Sequence, residues 1–108
     1  MSHSLRITDA AARDLEEIFT WIADHDSNEK AEHVLDRILH AAESIAALPH
    51  KGSRPIELPA GLEGEFRQVF FKPYRVIYEV ADQEVLIHLI ADGRRNLQSL
   101  LMRRLTHG

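Results

Sequence analysis

Three short apolar runs, Phe66 to Lys72, Tyr74 to Val80 and Val85 to Ala91, follow one another with almost no chain between them. Each is rich in valine, isoleucine and aromatic residues, the side chains that suit a pleated, half-buried surface. Pro73 separates the first two runs, and ADQE, residues 81 to 84, separates the second two. A parallel crossover needs about a dozen residues or more, so these links force antiparallel neighbours in a meander. The rest of the chain must supply a layer for that sheet.

The upstream sequence changes period. Leu5 and Ile7 alternate with Ser4, Arg6 and Thr8, which predicts a short opening strand. Thr8 or Asp9 can then cap a helix whose Leu15, Ile18, Phe19 and Ile22 form one apolar stripe, with Asp14, Glu17 and Asp24 on the opposite face. After the polar break HDSN at 25 to 28, Ser27 can cap a second helix with Ala31, Val34, Leu35, Ile38, Ala42, Ile45 and Leu48 on its apolar side. Pro49 ends it. Residues 49 to 65 hold three of the four prolines and three of the five glycines, so they form a loop. Asn96 to Leu105 carries Leu97, Leu100, Leu101 and Leu105 at helical spacing. The expected fold is α+β: an N-terminal strand, an antiparallel helical hairpin, then a three-stranded antiparallel meander and a short C-terminal helix, in a two-layer sandwich.

Length and composition narrow the function classes. The 108 residues fit one domain, 1–108, and are enough to bury a core without staples. With no cysteine there is neither a disulfide framework nor a thiolate zinc site. No apolar run reaches the ~18 residues of a membrane helix, and the N-terminal MSHSLRIT lacks the basic start and apolar stretch of a signal peptide. The chain reads as soluble, cytoplasmic and without a membrane partner. Its net charge of -4 is unevenly spread: residues 1 to 48 carry four basic and ten acidic side chains, residues 49 to 108 nine basic and seven acidic. Arg94, Arg95, Arg103 and Arg104 crowd the end, where they could meet an anionic partner or form a solvated face.

Four arginines, Arg67, Arg75, Arg94 and Arg95, lie in or beside the strand runs. A charge that loses water without a partner costs free energy, so each demands an explanation. Alternation sends Tyr74, Val76, Tyr78 and Val80 toward the helices and Arg75, Ile77 and Glu79 to a face expected to be open. The same alternation points Arg67 away from Arg75 unless a bulge intervenes. Each arginine also has a structural reading as an ion pair with Glu57, Glu65, Glu79 or Asp92.

KPYRVIYEV, residues 72 to 80, followed by VLIHLIADGRRN, residues 85 to 96, resembles the RelE/ParE superfamily of bacterial toxins. The order of elements extends the resemblance over nearly the whole chain. It implies the toxin half of a type II toxin–antitoxin module, of the kind linked to plasmid stabilisation, neutralised by a cognate antitoxin, ParD-like or another DNA-binding protein. RelE-like members cut messenger RNA in the ribosome with lysines, arginines and a late tyrosine; ParE-like members are linked to inhibition of DNA gyrase and lack that full set. Matching the shared PYR and GRR segments keeps Arg75 and Arg95 at nuclease arginine positions, while Phe66 and Gln68 stand where the nuclease type has lysines and Leu101 where it has tyrosine.

That loss matters chemically. Cleavage of RNA by its own 2′-hydroxyl needs a proton acceptor, a cation for the crowded phosphate and a proton donor. Arginine serves only the middle role. His88 has the right chemistry, but alternation places it with Leu86 and Ile90, which suits a satisfied structural histidine. His107 lies near the terminus, and His3, His25, His33, His40 and His50 are scattered. His33 and His40, seven apart, could hold metal only with further ligands, so neither a metal nor a cofactor is expected. No Gly-rich phosphate loop, HExxH or serine-centred nucleophile motif occurs. Trp21, beside the first helix's stripe, belongs to the core or to a partner contact.

The expectation that follows is a ParE-like gyrase inhibitor whose antitoxin and target contacts involve Arg67, Arg75, Arg94, Arg95 and Trp21. The alternatives are a RelE-like ribosome-dependent endoribonuclease using Arg67, Arg75 and Arg95, or a non-toxic antitoxin-binding remnant. The net negative charge favours the first and third, since a ribosome-bound nuclease profits from a basic surface.

Overall fold

In a computed structural model that describes residues 3–106, the chain runs β1 (Ser4–Ile7), α1 (Asp9–His25), α2 (Asn28–Ala47), β2 (Glu65–Phe71), β3 (Tyr74–Ala81), β4 (Glu84–Asp92) and α3 (Leu97–Thr106). His107 lies outside the described residues. Every expected element is present, with ends shifted by one or two residues. Thr8 is the cap of α1: its hydroxyl oxygen accepts the Ala11 N–H at 3.2 Å. Ser27 caps α2 through the Lys30 N–H at 3.0 Å. Each supplies a partner for a backbone donor that the first turn of a helix leaves free.

The sheet has the order β1-β4-β3-β2. The meander is antiparallel, with Phe71 opposite Tyr74 and Ala81 opposite Glu84 beside its two turns. Asp82 turns the second corner at a φ of 56°, a left-handed conformation that aspartate tolerates better than most residues. β1 pairs with β4 in parallel, so the sheet is mixed and not antiparallel throughout. Both helices and two strands separate these two strands in the chain, and no hairpin imposes opposite directions on them. No helix among the described residues is long and apolar enough to cross a membrane.

The helical hairpin covers one face of the sheet. Leu15 and Ile22 from α1 and Val34, Ile38 and Ile45 from α2 bury against Val76, Tyr78 and Val80, the residues of β3 expected to face inward, and against Val85 and Ile87 of β4. Each such side chain contributes about 1.5–3 kcal/mol by leaving water. Tyr78 is fully buried and spends its hydroxyl on the loop, donating to the Pro49 carbonyl at 2.8 Å and accepting the Gly52 N–H at 3.2 Å. Leu48 departs from its expected place in the α2 stripe: as the C-cap it leaves helical geometry, and it is exposed.

The other face of the sheet is not open. α3 lays Leu97 and Leu101 on Ile77, Leu89 and Ala91, and Leu58 of the long loop joins them. Arg75, expected on a free surface, is therefore buried. Asp14 likewise leaves the solvent face assigned to it. β1 ends at Ile7, opposite Ile87, and the rest of β4 has no strand on that side. Ile77 faces Leu89 while Tyr78 faces Ile87, which makes His88 the extra residue of a bulge. Asp14 accepts the Ile90 N–H at 3.0 Å, and Arg104 from α3 donates to the His88 carbonyl at 2.6 Å. The two side chains also pair with each other through both ends, at 2.9 and 3.0 Å. α1, β4 and α3 are thus tied at one point.

Replacing Asp14 by alanine strands a half-buried guanidinium and an edge N–H together. Asp14→Ala is expected to lower unfolding free energy by about 2 kcal/mol. Urea denaturation measures this, and a loss below about 0.5 kcal/mol, the range of ordinary surface substitutions, would contradict the role.

Candidate functional site

The arginines that looked alike in sequence sit in different places. Arg75 on β3 makes a two-pronged pair with Glu57 of the long loop, Nη1 to Oε2 at 2.7 Å and Nη2 to Oε1 at 2.9 Å, and its Nε donates to Gln68 Oε1 at 2.9 Å. Its guanidinium also lies 5.5 Å from the centre of the exposed Phe70 ring. The arrangement clamps the loop onto the sheet. Gly93 makes room for it: a Cβ there would stand 3.2 Å from Arg75 Cδ. Arg67 lies opposite Tyr78 with no bulge in the β2–β3 pairing, so it faces the hairpin side, away from Arg75. There it binds Glu65 at 2.7 Å and the Gly52 carbonyl.

Arg94 and Arg95 stand on the turn between β4 and α3. Asp92 Oδ1 accepts the Arg94 backbone N–H at 2.9 Å, and the Arg94 side chain returns to the same carboxylate at 3.0 and 2.7 Å. The Arg94 guanidinium hydrogen bond is the main reason that the Asp92 carboxyl is held at about 2. Arg94 nevertheless remains exposed. Arg95 is exposed and has no ion-pair partner among the described residues.

A groove of about 500 Å3 separates this turn from α1. Ile18, Trp21, Tyr74 and Ile90 give it apolar walls, and Arg94, Arg95 and Glu17 supply charge. Trp21 is 61% exposed, so it is not a core residue. Its ring stacks on His25, with centroids 4.2 Å apart and planes at 11°. Of the five residues expected to form a contact surface, Trp21, Arg94 and Arg95 come together, whereas Arg67 and Arg75 are held elsewhere by carboxylates. Sequence reading missed Pro73 and Tyr74 as members of the groove. The signal was the two-residue turn, which lifts them to the same end of the sheet as the Arg94–Arg95 turn; the Gly93 N–H donates to the Pro73 carbonyl at 2.8 Å.

His88 lies outside the groove. As the bulged residue it shares a face with Leu86 and Leu89, and not with Ile90 as regular alternation would have it. Its Nε2 is 2.9 Å from Glu79 Oε1, and its ring leans on Phe66 with centroids 5.6 Å apart. It is half-buried and partnered, as expected of a structural histidine. Among the described residues no group of three histidine, aspartate or glutamate side chains is placed to hold a metal ion.

The Glu57 carboxyl is held below its ordinary range chiefly by the Arg75 hydrogen bonds, against the opposing effect of burial. A depressed folded value means that the clamp contributes fully above the unfolded value of about 4.3 and fades as pH falls through the lower folded one. Glu57→Gln is expected to cost about 1–2 kcal/mol at pH 7 and progressively less below about pH 4. Thermal unfolding of both proteins across that range checks the convergence, and a gap that widens toward acid would contradict it.

Residues 5–97 match the family described as the ParE toxin of type II toxin-antitoxin system, parDE. Toxin ParE3 of Caulobacter vibrioides is 31% identical over 88 residues, which are 82% of this chain and 84% of that protein. Among solved structures, the chromosomal ParDE system from P. aeruginosa contains a chain that superposes with a TM-score of 0.69 at 22% identity, covering 84% of this chain and 96% of that one. The toxin-antitoxin complex RelBE2 from Mycobacterium tuberculosis gives 0.63 at 20% identity, covering 85% and 99%. A free arginine mutant of the E. coli toxin RelE also gives 0.63, at 12% identity, covering 99% and 98%. These structures share the fold; the sequence match carries further, and the chain belongs to the ParE family of toxins of type II toxin–antitoxin systems.

Proposed function

We propose that this toxin acts by docking on a protein target, DNA gyrase, and not by making or breaking bonds itself. The observation that carries the reading is the dispersal of Arg67, Arg75 and Arg95. A nuclease built on them would need all three guanidinium groups around one phosphate. Arg75 is taken up by Glu57 and Gln68 on the α3 side of the sheet, Arg67 by Glu65 and Gly52 on the other, and Arg95 stands on the turn beyond β4. Releasing Arg75 for a phosphate would leave Glu57 without its partner. The histidines beside the strands are engaged by acids, His88 by Glu79 with Phe66 against its ring, and His50 by the same Glu65 that holds Arg67.

What remains accessible suits recognition. An exposed tryptophan beside an apolar groove, with arginines on its rim, has the composition of a protein-binding surface. Membership of the ParE family supports gyrase as the target. The same surface is open to the antitoxin, the partner that family membership supports.

Induced expression without antitoxin is expected to halt growth and raise an SOS reporter, with the ends of cellular transcripts unchanged. New transcript ends within translated messages, with no SOS signal, would establish the endoribonuclease in its place. Unimpaired growth would mark a remnant that binds its antitoxin without toxicity.

A further inference from the structure

The helical hairpin carries a surface that neither the core nor the Trp21 groove uses. Residues 1 to 48 hold ten acidic side chains against four basic, and of the ten only Asp14 has an ion-pair partner among the described residues. On α2, Glu29, Glu32, Asp36 and Glu43 fall at i, i+3, i+7 and i+14, a spacing that lines them up along one side of a helix. All four are exposed. At 1.5 Å per residue the row spans about 21 Å. The lysine and arginine of this helix are engaged on its other flank: Lys30 lines a hollow with Phe71 and Lys72, and Arg37 lies 5.5 Å from the centre of the Phe71 ring. The row is therefore not neutralised by its own helix.

Beside the row lies an apolar recess of about 490 Å3, lined by Leu15 and Phe19 of α1 and Leu35 of α2. Glu32, one turn before Leu35, brings the row to the edge of the recess, and Glu16 stands on its α1 wall. Carboxylates thus flank it from both helices.

Charge selects the occupant. An acidic rim around an apolar recess fits a cationic partner that offers an apolar side chain. A second copy of a chain whose net charge is -4 is repelled on approach. An enzyme that holds DNA, by contrast, must present lysines and arginines to the phosphates. A DNA strand carries one charge about every 3.4 Å of axis, so four carboxylates along the row are a sparser line of the same sign. The recess adds an apolar contact that phosphates lack.

We propose that the outer side of the hairpin docks on the cationic surface with which gyrase holds DNA. The row from Glu29 to Glu43 stands in place of phosphates, and the recess at Leu15, Phe19 and Leu35 receives an apolar side chain. The proposal rests on gyrase being the target. It adds the surface, the sign of its charge and competition with DNA.

The probes are purified gyrase and a linear DNA duplex, with the full toxin chain held on a sensor surface. Duplex DNA bound to gyrase beforehand is expected to weaken toxin binding by about tenfold or more. Glu32→Gln with Asp36→Asn should weaken binding to DNA-free gyrase by about tenfold, mainly through slower association, and this loss should shrink at high salt. Glu63→Gln with Asp82→Asn makes the same change in net charge elsewhere on the surface and should bind within about twofold of the parent. All four positions are exposed, and asparagine tolerates the left-handed conformation of Asp82, so thermal unfolding should stay within a few degrees of the parent.

Gyrase that binds the Glu32→Gln, Asp36→Asn protein as tightly as the parent would overturn the proposal, as would toxin binding indifferent to duplex DNA. An equal loss in the Glu63→Gln, Asp82→Asn protein would assign the effect to net charge and overturn the surface. Weakened antitoxin binding or toxin self-association in the hairpin variant, with gyrase affinity intact, would overturn the choice of occupant. The parent toxin separates this from the target: growth arrest without any gyrase binding removes gyrase and the hairpin contact together, whereas gyrase binding that survives the hairpin substitutions removes the hairpin contact alone.

Discussion

The pair between Asp14 and Arg104 is where the three layers of this molecule meet. It joins the α3 side and the hairpin side of the sheet at the β4 edge, as the long loop joins them at the β2 edge. β1 is four residues long and β4 nine, and the difference leaves an open edge on β4 beside a bulge. An open edge offers backbone groups to any passing strand, and covering it with side chains is one way to prevent that. Here a carboxylate takes the N–H, a guanidinium takes the carbonyl, and each neutralises the other. Both groups are mostly out of water, so the pairing geometry matters more than the number of charges. The consequence reaches the opposite face: α3 buries only Leu97 and Leu101, and the Arg104 anchor adds a directional contact that fixes its position along β4.

Once those groups are settled, local carboxylates decide which arginines are left for function. Each of the two strand arginines finds an acid in or beside the long loop, Arg75 with Glu57 and Arg67 with Glu65. The glycine- and proline-rich segment is consequently held at both its start and its middle: Arg67 and Tyr78 engage residues near Pro49 and Gly52, and Arg75 engages Glu57. The Glu65 carboxyl lies below its ordinary range because of Arg67 first and His50 second. A loop fixed in this way can cover a sheet edge, and the Gln68–Ser53 bridge does so at the middle of β2. Of the four arginines in or beside the strand runs, the two that stay accessible, Arg94 and Arg95, stand on the turn between β4 and α3.

Much of the fold was legible because its determinants are local. Thr8, Ser27 and Pro49 mark helix ends by their own backbone chemistry, and the short links at Pro73 and at residues 81 to 84 dictate the meander. Strand phase alone separated Arg67 from Arg75, and the list of acids near the arginines contained the correct partners. What could not be read depends on contacts distant in sequence. Asp14 and Arg104 are 90 residues apart, and nothing near Asp14 distinguishes it from the other acids of α1. The bulge at His88 shifts one strand by one residue without a glycine or proline to announce it. The expectation of an open sheet face failed because the C-terminal helix was expected without a face to pack on, and Ile77, Leu89 and Ala91 on the sheet give its leucines that place.

The groove at Trp21 is then best understood as the surface left over after every other demand has been met. The core takes Leu15 and Ile22 from α1, and the β4 edge takes Asp14. Trp21 is one residue out of phase with Ile22, so the helix turns it away from the buried stripe. Its large apolar ring could be covered only by something outside the domain or by its own neighbour, and His25, one turn on, covers just one side of it. Tyr74 approaches the same surface from the start of β3, and burial raises its hydroxyl pKa, with Asp92 adding to the shift. A tryptophan and a tyrosine at the end of a rigid sheet, with the Arg94–Arg95 turn beside them, keep this surface in one shape while the rest of the chain holds it still. A surface held in one shape in this way loses little freedom on meeting a partner, because ordering costs are avoided.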